Sequence, residues 1–387
     1  MFSLQFRIVF NDVLKLMQSR ITMSQEIKKR TSQKLEDEYL KYSIGIDLSK
    51  DKFDACISLM NKGQHVKVIA TRAFSNNPNG FKVFYEWYLH KCKLVLPAVF
   101  TMEATGIYYE KLAWFLHRNN QYVSVVLPNK AKKYMQSVGI KSKNDKIDSI
   151  GLARMGAEQK LLKWETPKEI VMELRDITRY RESLQESKTR FNNQLLAYKC
   201  GEFVDESIVK GLEEIIALID KQIEETEKMI TEKIDSDEEI KARVKNIIEI
   251  KGISIISIAT ILAETNCFEM FTNQRQLVSY AGYDIVENQS GKHIGRTRIS
   301  KKGNAHIRRI LHMPSLNVVA NGESVFVNLY ERVYERTKIK MKGYVAVQRE
   351  LLCLIYTLWK KNEKYQRHYK NEHPEMQSRS SSFRMAS

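Results

Sequence analysis

The stretch YSIGIDLSK, residues 42–50, determines how the N-terminal part of the chain is interpreted. Tyr42, Ile44 and Ile46 alternate with small residues, and β-branched or aromatic side chains at every second position are typical of a half-buried β-strand. Asp47 stands where that strand is expected to end. An aspartate there commonly caps a turn, and taken alone this interpretation is favoured over a functional role.

The segments that follow alternate between strand and helix patterns. Two strand-like runs between residue 42 and about residue 69 flank the turn signal MNKGQ, which predicts a hairpin with Gly63 at its bend. FKVFYEWYLHKC repeats its aromatic residues at helical spacing, LPAVFTME is a short apolar strand ending at Glu103, and a helix is expected directly after it. Together with the strand-like YVSVVLP, these segments predict an α/β layer with a partly parallel sheet.

The chain of 387 residues carries 63 Lys and Arg against 46 Asp and Glu, a formal net charge of +17. Its pI is about 9.4, and such an excess of cations favours a polyanionic partner, with nucleic acid ahead of a membrane surface. No apolar run reaches the length of a bilayer span and no signal-peptide cleavage pattern follows the first residues, so we expect a soluble intracellular protein without a membrane partner. The five cysteines form no Cys-x-x-Cys pair, which argues against a zinc site and a disulfide framework.

Beyond Trp164, apolar residues recur at intervals of three and four, the spacing of a coiled coil. One series runs from residue 170 to residue 198, the motif CGEF interrupts it, and a second runs from residue 212 to residue 234. Two long helices are therefore expected to fold back as a hairpin or to pair with another subunit. A dimerisation or spacer element and a plain intramolecular helix pair remain equal alternatives, because Arg, Lys and Thr interrupt the apolar seam.

A third region begins near residue 247 with IIEIKGISIISIATILAE, in which a tight turn separates two helices. This is the pattern of a helix-hairpin-helix, whose backbone N–H groups meet a phosphate without reading bases, although an ordinary helical hairpin shares it. SGKHIGRTRISKKGNAHIRRIL follows with seven Lys and Arg and no acid, and its glycines and serines suit phosphate contact better than a merely solvated face. The residues predicted to contact nucleic acid are Lys251, Gly252, Lys292, Arg296, Arg298, Ser300, Lys301, Lys302, Asn304, Arg308 and Arg309.

Four carboxylates occupy comparable positions at the ends of predicted elements. Asp47 and Glu103 each end a strand, and KNDKIDSIGLA places Asp145 and Asp148 three residues apart at a helix start, nearly on one face. Singly, they are explained as a turn cap, a surface acid and helix N-terminal caps. Together, at element ends that should be neighbours in one layer, they form the oxygen-rich ligand set that Mg²⁺ prefers, and two such ions about 4 Å apart support phosphoryl transfer.

These motifs, in this order and spacing, resemble the DEDD signature of insertion-sequence transposases of the IS110 type: GIDLSKDKF, MEATGIYYEKLAWFL, VVLPNKAKKY and KNDKIDSIGLA. The later stretches IKGISIISIATILAE and RQLVSYAGYDIVENQSGKHIGRTRISKKGNAHIRRIL resemble the C-terminal transposase domain of the same family. The resemblance covers roughly residues 42–320. That family is related to the RuvC Holliday-junction resolvases through an N-terminal RNase H-like domain, and it includes pilin-gene inversion enzymes.

The fold that the resemblance implies is α/β plus α: an N-terminal RNase H-like (RuvC-like) DEDD domain, a central helical coiled-coil hairpin, and a mostly helical C-terminal domain with a helix-hairpin-helix-like motif. The expected divisions are 1–41 for an N-terminal extension, then 42–163, 164–245, 246–345, and 346–387 for a C-terminal helix and tail. The extension lies outside the family pattern, and Met23 is an alternative start. Asn144 stands where the family commonly has Thr.

The activity that the resemblance implies is that of a DNA transposase and recombinase with a composite, Mg²⁺-dependent active site. A serine of the C-terminal domain would attack the DNA phosphate and form a phosphoserine intermediate; Ser290 stands at the expected position, and Ser300 is its local competitor. A serine hydroxyl needs activation at neutral pH, and without a candidate His triad a metal ion is the expected activator. The residues that would hold Mg²⁺ are Asp47, Glu103, Asp145 and Asp148.

The family further implies a noncoding guide RNA from the element, which pairs with donor and target DNA, and two dimers that act together. We therefore expect three partners: DNA in the form of element ends and target, a guide RNA, and further copies of the chain in a homodimer or tetramer. The expected location is the bacterial cytoplasm, at the nucleoid when bound. Two alternatives use other chemistry: a Holliday-junction resolvase-like nuclease with the same four acids and water as nucleophile, and a non-catalytic nucleic-acid-binding protein.

Overall fold

The computed structural model of the chain describes residues 38–104, 106–140, 144–286, 289–290, 293–294 and 298–367. The chain divides into two compact units, unit 1 at Met1–Thr166 and unit 2 at Pro167–Ser387. The helical region and the C-terminal region that the sequence separates after residue 245 both belong to unit 2. The predicted N-terminal extension lies outside the described residues up to residue 37, and so does the predicted tail from residue 368 onward.

Unit 1 is built on a five-stranded sheet with the strand order β3-β2-β1-β4-β5. β1 pairs antiparallel with β2, and β2 pairs antiparallel with β3, whereas β4 runs parallel to β1 and β5 runs parallel to β4. The prediction of a mixed α/β layer with a partly parallel sheet is therefore confirmed. The strands are β1 Tyr39–Leu48, β2 Lys52–Asn61, β3 Val66–Ser75, β4 Ala98–Glu103 and β5 Tyr122–Val126.

The helices of unit 1 follow the strands closely. They are α1 Pro78–Lys91, α2 Glu110–Arg118, α3 Pro128–Ser137 and α4 Asp145–Glu158. α2 begins later than the sequence predicts, because the residues after Glu103 first form turns, with Gly106 at a φ of 58°. The left-handed backbone at that glycine is easily reached without a Cβ.

The region predicted as two strand-like runs contains three strands. The additional break comes at a short turn after Leu48, where the Ser49 backbone N–H donates to the Lys52 carbonyl at 2.9 Å. The Ser49 hydroxyl donates to the same carbonyl at 2.7 Å. A side-chain hydroxyl that satisfies turn backbone locally is what allows the chain to reverse here, and the reversal sends β2 back alongside β1.

One face of the sheet buries an aromatic cluster against α1. Phe53 and Phe84 meet edge-to-face at 5.3 Å between ring centroids, and Phe84 meets Phe100 of β4 at 6.2 Å. Asn77 caps α1 by accepting from the Gly80 N–H at 2.9 Å. The helical spacing of aromatic residues that predicted α1 thus reflects burial of one helix face in this core.

The other face of the sheet receives α4 at very short range. A Cβ on Gly45 would lie 2.1 Å from the Ala153 nitrogen and 2.1 Å from the Ser149 carbonyl oxygen, so a side chain at this position would exclude the helix. The Ser43 hydroxyl donates to the Ala153 carbonyl at 2.6 Å. Because side chains alternate along a strand, Asp47 belongs to the same face of β1 as Ser43 and Gly45.

Unit 2 is mostly helical. Two long helices, α5 and α6, lie antiparallel, as ion pairs across them show: Lys199 with Glu213 at 2.7 Å and Lys233 with Glu173 at 2.6 Å. These helices form an intramolecular hairpin, which was one of the two alternatives from the sequence; pairing with another subunit stays a prediction. The helices are α5 Glu169–Lys199, α6 Glu206–Asp235, α7 Glu238–Ile248, α8 Ile255–Thr265, α9 Gln274–Ala281, α10 Ala305–Ile310, α11 His312–Ala320, α12 Ser324–Thr337 and α13 Lys340–Lys361.

The two helices expected on either side of the tight turn at Lys251 and Gly252 are α7 and α8, while their assignment as a helix-hairpin-helix motif stays a prediction. Gly252 has a φ of 107°, and a Cβ on it would lie 2.9 Å from the Asn317 Cβ of α11. The glycine therefore has a packing reason as well as a conformational one, since both the turn and the neighbouring helix exclude a side chain. A role of this turn in phosphate contact stays a prediction.

An antiparallel ribbon connects α9 to α10. Its strands are β6 Ile285–Val286, β7 Gln289–Ser290, β8 His293–Ile294 and β9 Arg298–Ile299. β6 pairs with β9, and β7 pairs with β8. Among the described residues of both units, no helix combines the length and apolar character needed to cross a bilayer.

Candidate active site

Parallel pairing of β1 with β4 brings two of the predicted acids together. Ile46 lies opposite Met102, so the next residues, Asp47 near the end of β1 and Glu103 at the end of β4, lie at the same edge of neighbouring strands. Both acids belong to the face of the sheet that receives α4. Asp47 is half-buried, which leaves its carboxylate partly deprived of water.

The start of α4 supplies the second pair of acids. Asn144 caps this helix, since its side-chain oxygen accepts from the Ile147 N–H at 2.8 Å and its carbonyl accepts from the Asp148 N–H at 2.9 Å. Asp145 and Asp148 lie in the first turn. Asn is as good an N-cap as Thr, so the departure from the family pattern at Asn144 preserves the helix start that presents both acids.

The electrostatics of Asp47 show that the four predicted acids lie near one another. Burial raises the pKa of Asp47, and the negative charges of Asp148, Asp145 and Glu103 raise it further, to about 7. A carboxyl whose pKa is raised by several nearby negative charges is typical of carboxylates that share a site. The structure thus brings together all four acids that the sequence places at element ends, while their role in catalysis stays a prediction.

Sequence reasoning missed two charged residues of the same group, Lys52 and Asp54. Antiparallel register places Asp54 of β2 opposite Asp47, and its charge also raises the pKa of Asp47. The Lys52 ammonium lies 2.8 Å from an Asp145 oxygen and 3.7 Å from an Asp54 oxygen. Its hydrogen bond and charge lower the pKa of Asp145. The available signal was that Lys52 and Asp54 are two residues apart and so belong to the same face of a strand. That spacing does not say which face of the sheet they share until the register of β2 against β1 is known.

The donor chemistry of this group fits a divalent cation. Its ligand atoms are carboxylate oxygens, which hard cations such as Mg²⁺ prefer, and a bound cation would relieve the repulsion that raises the pKa of Asp47. The carboxylates do not form a closed ligand cage as they stand: in the described ranges, no three His, Cys, Asp or Glu side chains are arranged to hold an ion. Asp145 is paired with the Lys52 ammonium instead.

Ser290, the predicted nucleophile, is the last residue of β7. It lies opposite His293 across the ribbon of unit 2. Gly291, Lys292 and Arg296 lie outside the described residues. The ribbon is a feature that the sequence did not predict, because strands of two residues leave no periodic pattern. A nucleophilic role of Ser290 stays a prediction.

Ser300, its competitor, is held in a turn that follows the ribbon. The Ser300 N–H donates to the Asp284 carbonyl at 2.7 Å, and its hydroxyl accepts from the Lys302 N–H at 3.3 Å. Lys301 has a φ of 52°, so the turn presents two exposed lysines from a left-handed backbone. Arg298, which precedes it, is also exposed. This arrangement suits phosphate contact, which stays a prediction for these residues.

Three of the residues predicted to contact nucleic acid have partners inside unit 2. Asn304 caps α10 through the Ile307 N–H at 3.1 Å and donates to Glu264 at 2.7 Å. Arg308 donates to the Ala281 carbonyl at 2.8 Å. Arg309 pairs with both Glu182 and Glu186 of α5. The part of the basic segment that lies on α10 therefore stabilises the packing of that helix on the rest of unit 2.

The sequence did not reveal Glu264 and Glu182, the carboxylates that bind Asn304 and Arg309. Glu264 is almost completely buried, and the Arg179 guanidinium binds both of its oxygens, at 2.7 and 3.0 Å. Burial acts to raise the pKa of Glu264, but the hydrogen bonds and charge of Arg179 and the Asn304 amide outweigh it, and the pKa falls below its ordinary value. Glu182 behaves in the same way beside His306 and Arg309.

Comparison with known proteins gives the family. A transposase family model of the DEDD IS110 type matches residues 44–198, and the model described as transposase IS116/IS110/IS902 family matches residues 244–331. Together they span more than half of the chain. The chain belongs to this transposase family. It is therefore a DNA recombinase or transposase, DNA is its partner, and the DEDD family implies dependence on divalent metal ions in general.

Curated relatives and a solved structure extend the comparison. The transposase is 28% identical over 325 residues to the pilin gene-inverting proteins of Moraxella bovis and Moraxella lacunata, an alignment that covers 83% of this chain and 97% of each relative. A structural match to T. thermophilus RuvC in complex with a Holliday junction substrate has a TM-score of 0.22 and 8% identity. It covers 30% of this chain and 90% of that one.

Proposed function

We propose that this transposase breaks and rejoins DNA strands at the four carboxylates of unit 1, with Mg²⁺ as its metal. The observation that carries the proposal is the half-buried Asp47 surrounded by further negative charge, which raises its pKa to about 7. Such crowding destabilises a fold and is typical of functional sites. The strand order β3-β2-β1-β4-β5, with the acids at the ends of β1 and β4, supports an RNase H-like domain.

Each carboxylate has a distinct task in this proposal. Asp47 and Glu103, on rigid strand ends, set the positions of the oxygen ligands, and Asp145 and Asp148 are presented by a capped helix turn. When bound, Mg²⁺ supplies Lewis-acid polarisation of a phosphate oxygen and a lower pKa for the attacking hydroxyl. Strand ends and a helix start hold side chains more rigidly than loops do, which preorganises the site.

Ser290 is the nucleophile that we propose for strand cleavage. Its hydroxyl oxygen forms a bond to phosphorus, the bond from phosphorus to the leaving strand oxygen breaks, and the proton of the serine ends on that leaving oxygen. Attack by a strand hydroxyl on the phosphoserine reverses the step, restores the serine and joins the new strand. The energy of the phosphodiester is kept throughout, as exchange without a cofactor for ligation requires.

The experiment that tests this step uses supercoiled DNA carrying an element end, Mg²⁺ and the full chain, with and without candidate guide RNA. We expect a covalent protein–DNA adduct that survives denaturation, is absent in Ser290→Ala and persists in Ser300→Ala. An active Ser290→Ala enzyme with no adduct would favour water as the nucleophile, as in the resolvase alternative. Loss of the adduct in Ser300→Ala alone would move the nucleophile to Ser300.

The remaining partners are also proposals. We propose that a noncoding guide RNA pairs with donor and target DNA and that the enzyme acts as a homodimer or tetramer, in the cytoplasm at the nucleoid. The net charge of +17 supports contact with nucleic acid backbones of either kind. Sequencing the RNA that copurifies with the full chain tests the guide, since enrichment of a noncoding transcript from the flanking element is expected and random cellular RNA contradicts it.

A further inference from the structure

Lys52 lies between the acidic group of unit 1 and a groove that contains one further cation, Arg72. Its ammonium lies 2.8 Å from Asp145 and 3.7 Å from Asp54. The same residue lines a shallow groove along the outer edge of the sheet, together with Arg72 and Ser75 of β3. Lys52 is therefore a flexible cation that borders both the acidic group and the groove at the edge of the sheet.

The simplest alternative is an ordinary surface ion pair. Both side chains are exposed, Lys52 by 57% and Asp145 by 52%, and pairs of that kind contribute little to stability. The surroundings of Asp145 are unusual, however, because its charge adds to the negative charge around Asp47. A cation at this position offsets like-charge repulsion among several acids at once, whereas an isolated surface pair involves two groups only.

The Lys52 ammonium contacts two of the carboxylates in the acidic group, Asp145 and Asp54. Its contact with an Asp145 oxygen resembles that of a cation with a ligand, and it joins the start of α4 to β2 across the acidic group. A divalent cation and an ammonium cannot share this carboxylate closely, because their charges repel. Binding of one must therefore weaken binding of the other.

We propose that Lys52 is a placeholder cation: it holds Asp145 beside the sheet until a divalent cation binds, and it then turns to a DNA phosphate in the adjacent groove. Lys52 is in this sense a positioning residue, since it acts on the site through Asp145. The inference rests on the proposed function, because it requires that Asp145 be a metal ligand. It explains why the four acids are brought together without forming a closed ligand cage.

The proposal predicts that loss of the ammonium has opposite effects on metal and DNA. With Lys52→Met, divalent cations no longer compete with an internal cation, so we expect Mg²⁺ and Mn²⁺ to bind about threefold to tenfold more tightly. DNA binding should weaken at the same time. The slope of the logarithm of the DNA-binding constant against the logarithm of salt concentration should decrease in magnitude by about 1, as expected for loss of one phosphate contact. A lysine with only a structural role would change neither in this opposed manner.

The test measures thermal unfolding of the full chain against MgCl₂ and MnCl₂ concentration, without DNA, and then DNA binding at several salt concentrations. Lys50→Met is the matched control, because Lys50 is exposed in the turn immediately before β2 and should behave as wild type. Lys52→Arg keeps the charge and should keep the wild-type metal dependence. If Lys52→Met does not fold, Lys52→Gln gives the same measurement with a polar side chain of similar length.

Each result has a definite meaning. Tighter metal binding with weaker DNA binding in Lys52→Met, and no change in Lys50→Met, supports the placeholder. Unchanged or weaker metal binding in Lys52→Met, with a clear metal response in wild type, overturns the placeholder and leaves the proposed metal site intact. No response of the wild-type protein to either cation contradicts the metal site itself, and the placeholder with it.

Discussion

Asp47 of unit 1 and Glu264 of unit 2 are both carboxylates withdrawn from water, but their neighbours carry opposite charge. Around Asp47 lie other acids, and its pKa rises to about 7 through burial first and repulsion second. Glu264 meets Arg179 and Asn304, and its pKa falls although burial acts to raise it. The same side-chain chemistry thus strains one unit and stabilises the other.

The difference separates the acidic group that we propose as the active site from a structural ion pair. A buried acid with a matched cation satisfies its own charge and needs nothing from outside the protein. A group of acids with too little positive charge among them lowers stability and persists where a ligand compensates for it. Direction of the pKa shift, taken with the identity of the neighbours, therefore distinguishes the two groups more clearly than burial alone.

The largest expected effect is on catalysis in unit 1. Asp47→Asn should lower strand cleavage by about a thousandfold or more, the scale on which loss of a charged catalytic group acts, because the amide cannot replace the carboxylate charge. Cleavage of supercoiled element-end DNA measures the effect, and circular dichroism checks that the fold is kept. Asp51→Asn, in the exposed turn before β2, is the control and should stay within threefold of wild type, about the limit of a neutral change.

Unit 2 should respond to the same kind of change with a loss of stability. Arg179→Met leaves Glu264 buried without its cation and should lower the free energy of unfolding by about 3 kcal/mol. Denaturant unfolding followed by circular dichroism measures it, with the exposed Arg190→Met on the same helix as control. The double variant Arg179→Met with Glu264→Met should recover part of the loss. A single variant as stable as wild type would contradict the structural role.

Removal of the Asp47 charge should raise the free energy of unfolding, whereas Arg179→Met lowers it. Because the pKa of Asp47 is raised in the folded protein, from 3.8 to about 7, stability falls as pH rises between those values. Asp47→Asn should therefore be more stable than wild type above pH 7 in the absence of metal, by about 1 to 2 kcal/mol after allowance for partial exposure. The gain should vanish near pH 4, and a gain that is independent of pH would point to packing instead.

The smallest expected effect concerns the Glu182–His306 pair that joins α5 to α10. The hydrogen bond that the His306 ring donates to Glu182 raises the pKa of His306 above 6.5. The contribution of the pair to stability is therefore full below that pH and is lost as pH rises through the raised value. His306→Gln should cost about 0.5 kcal/mol at pH 6 and less at pH 9. Unfolding of His65→Gln, at an exposed turn of unit 1, controls for charge alone. Equal losses at both pH values would show that the pair is not ionic.

Particular residues show how far the sequence could lead. Asp47, Glu103, Asp145 and Asp148 were found because each stands at the end of a periodic segment, where a polar residue is conspicuous. Lys52 and Asp54 were not, because cross-strand neighbours depend on the register of β2 against β1, which the periodicity of a single strand does not give. Apolar residues at intervals of three and four likewise predicted α5 and α6. That the two helices pair with each other is shown by the ion pairs between them in the structure.

The basic segment shows the opposite limit. Lys301 and Arg309 are both basic residues of the same segment. Lys301 is exposed in a turn, whereas Arg309 pairs with Glu182 and Glu186, which precede it by more than a hundred residues. Net charge, helix and strand periodicity and the family motifs were determined by the sequence alone, because they depend on local order along the chain. Only the tertiary structure decided which charges meet which, because the free energy of a charge depends on its distance from others and on its exclusion from water.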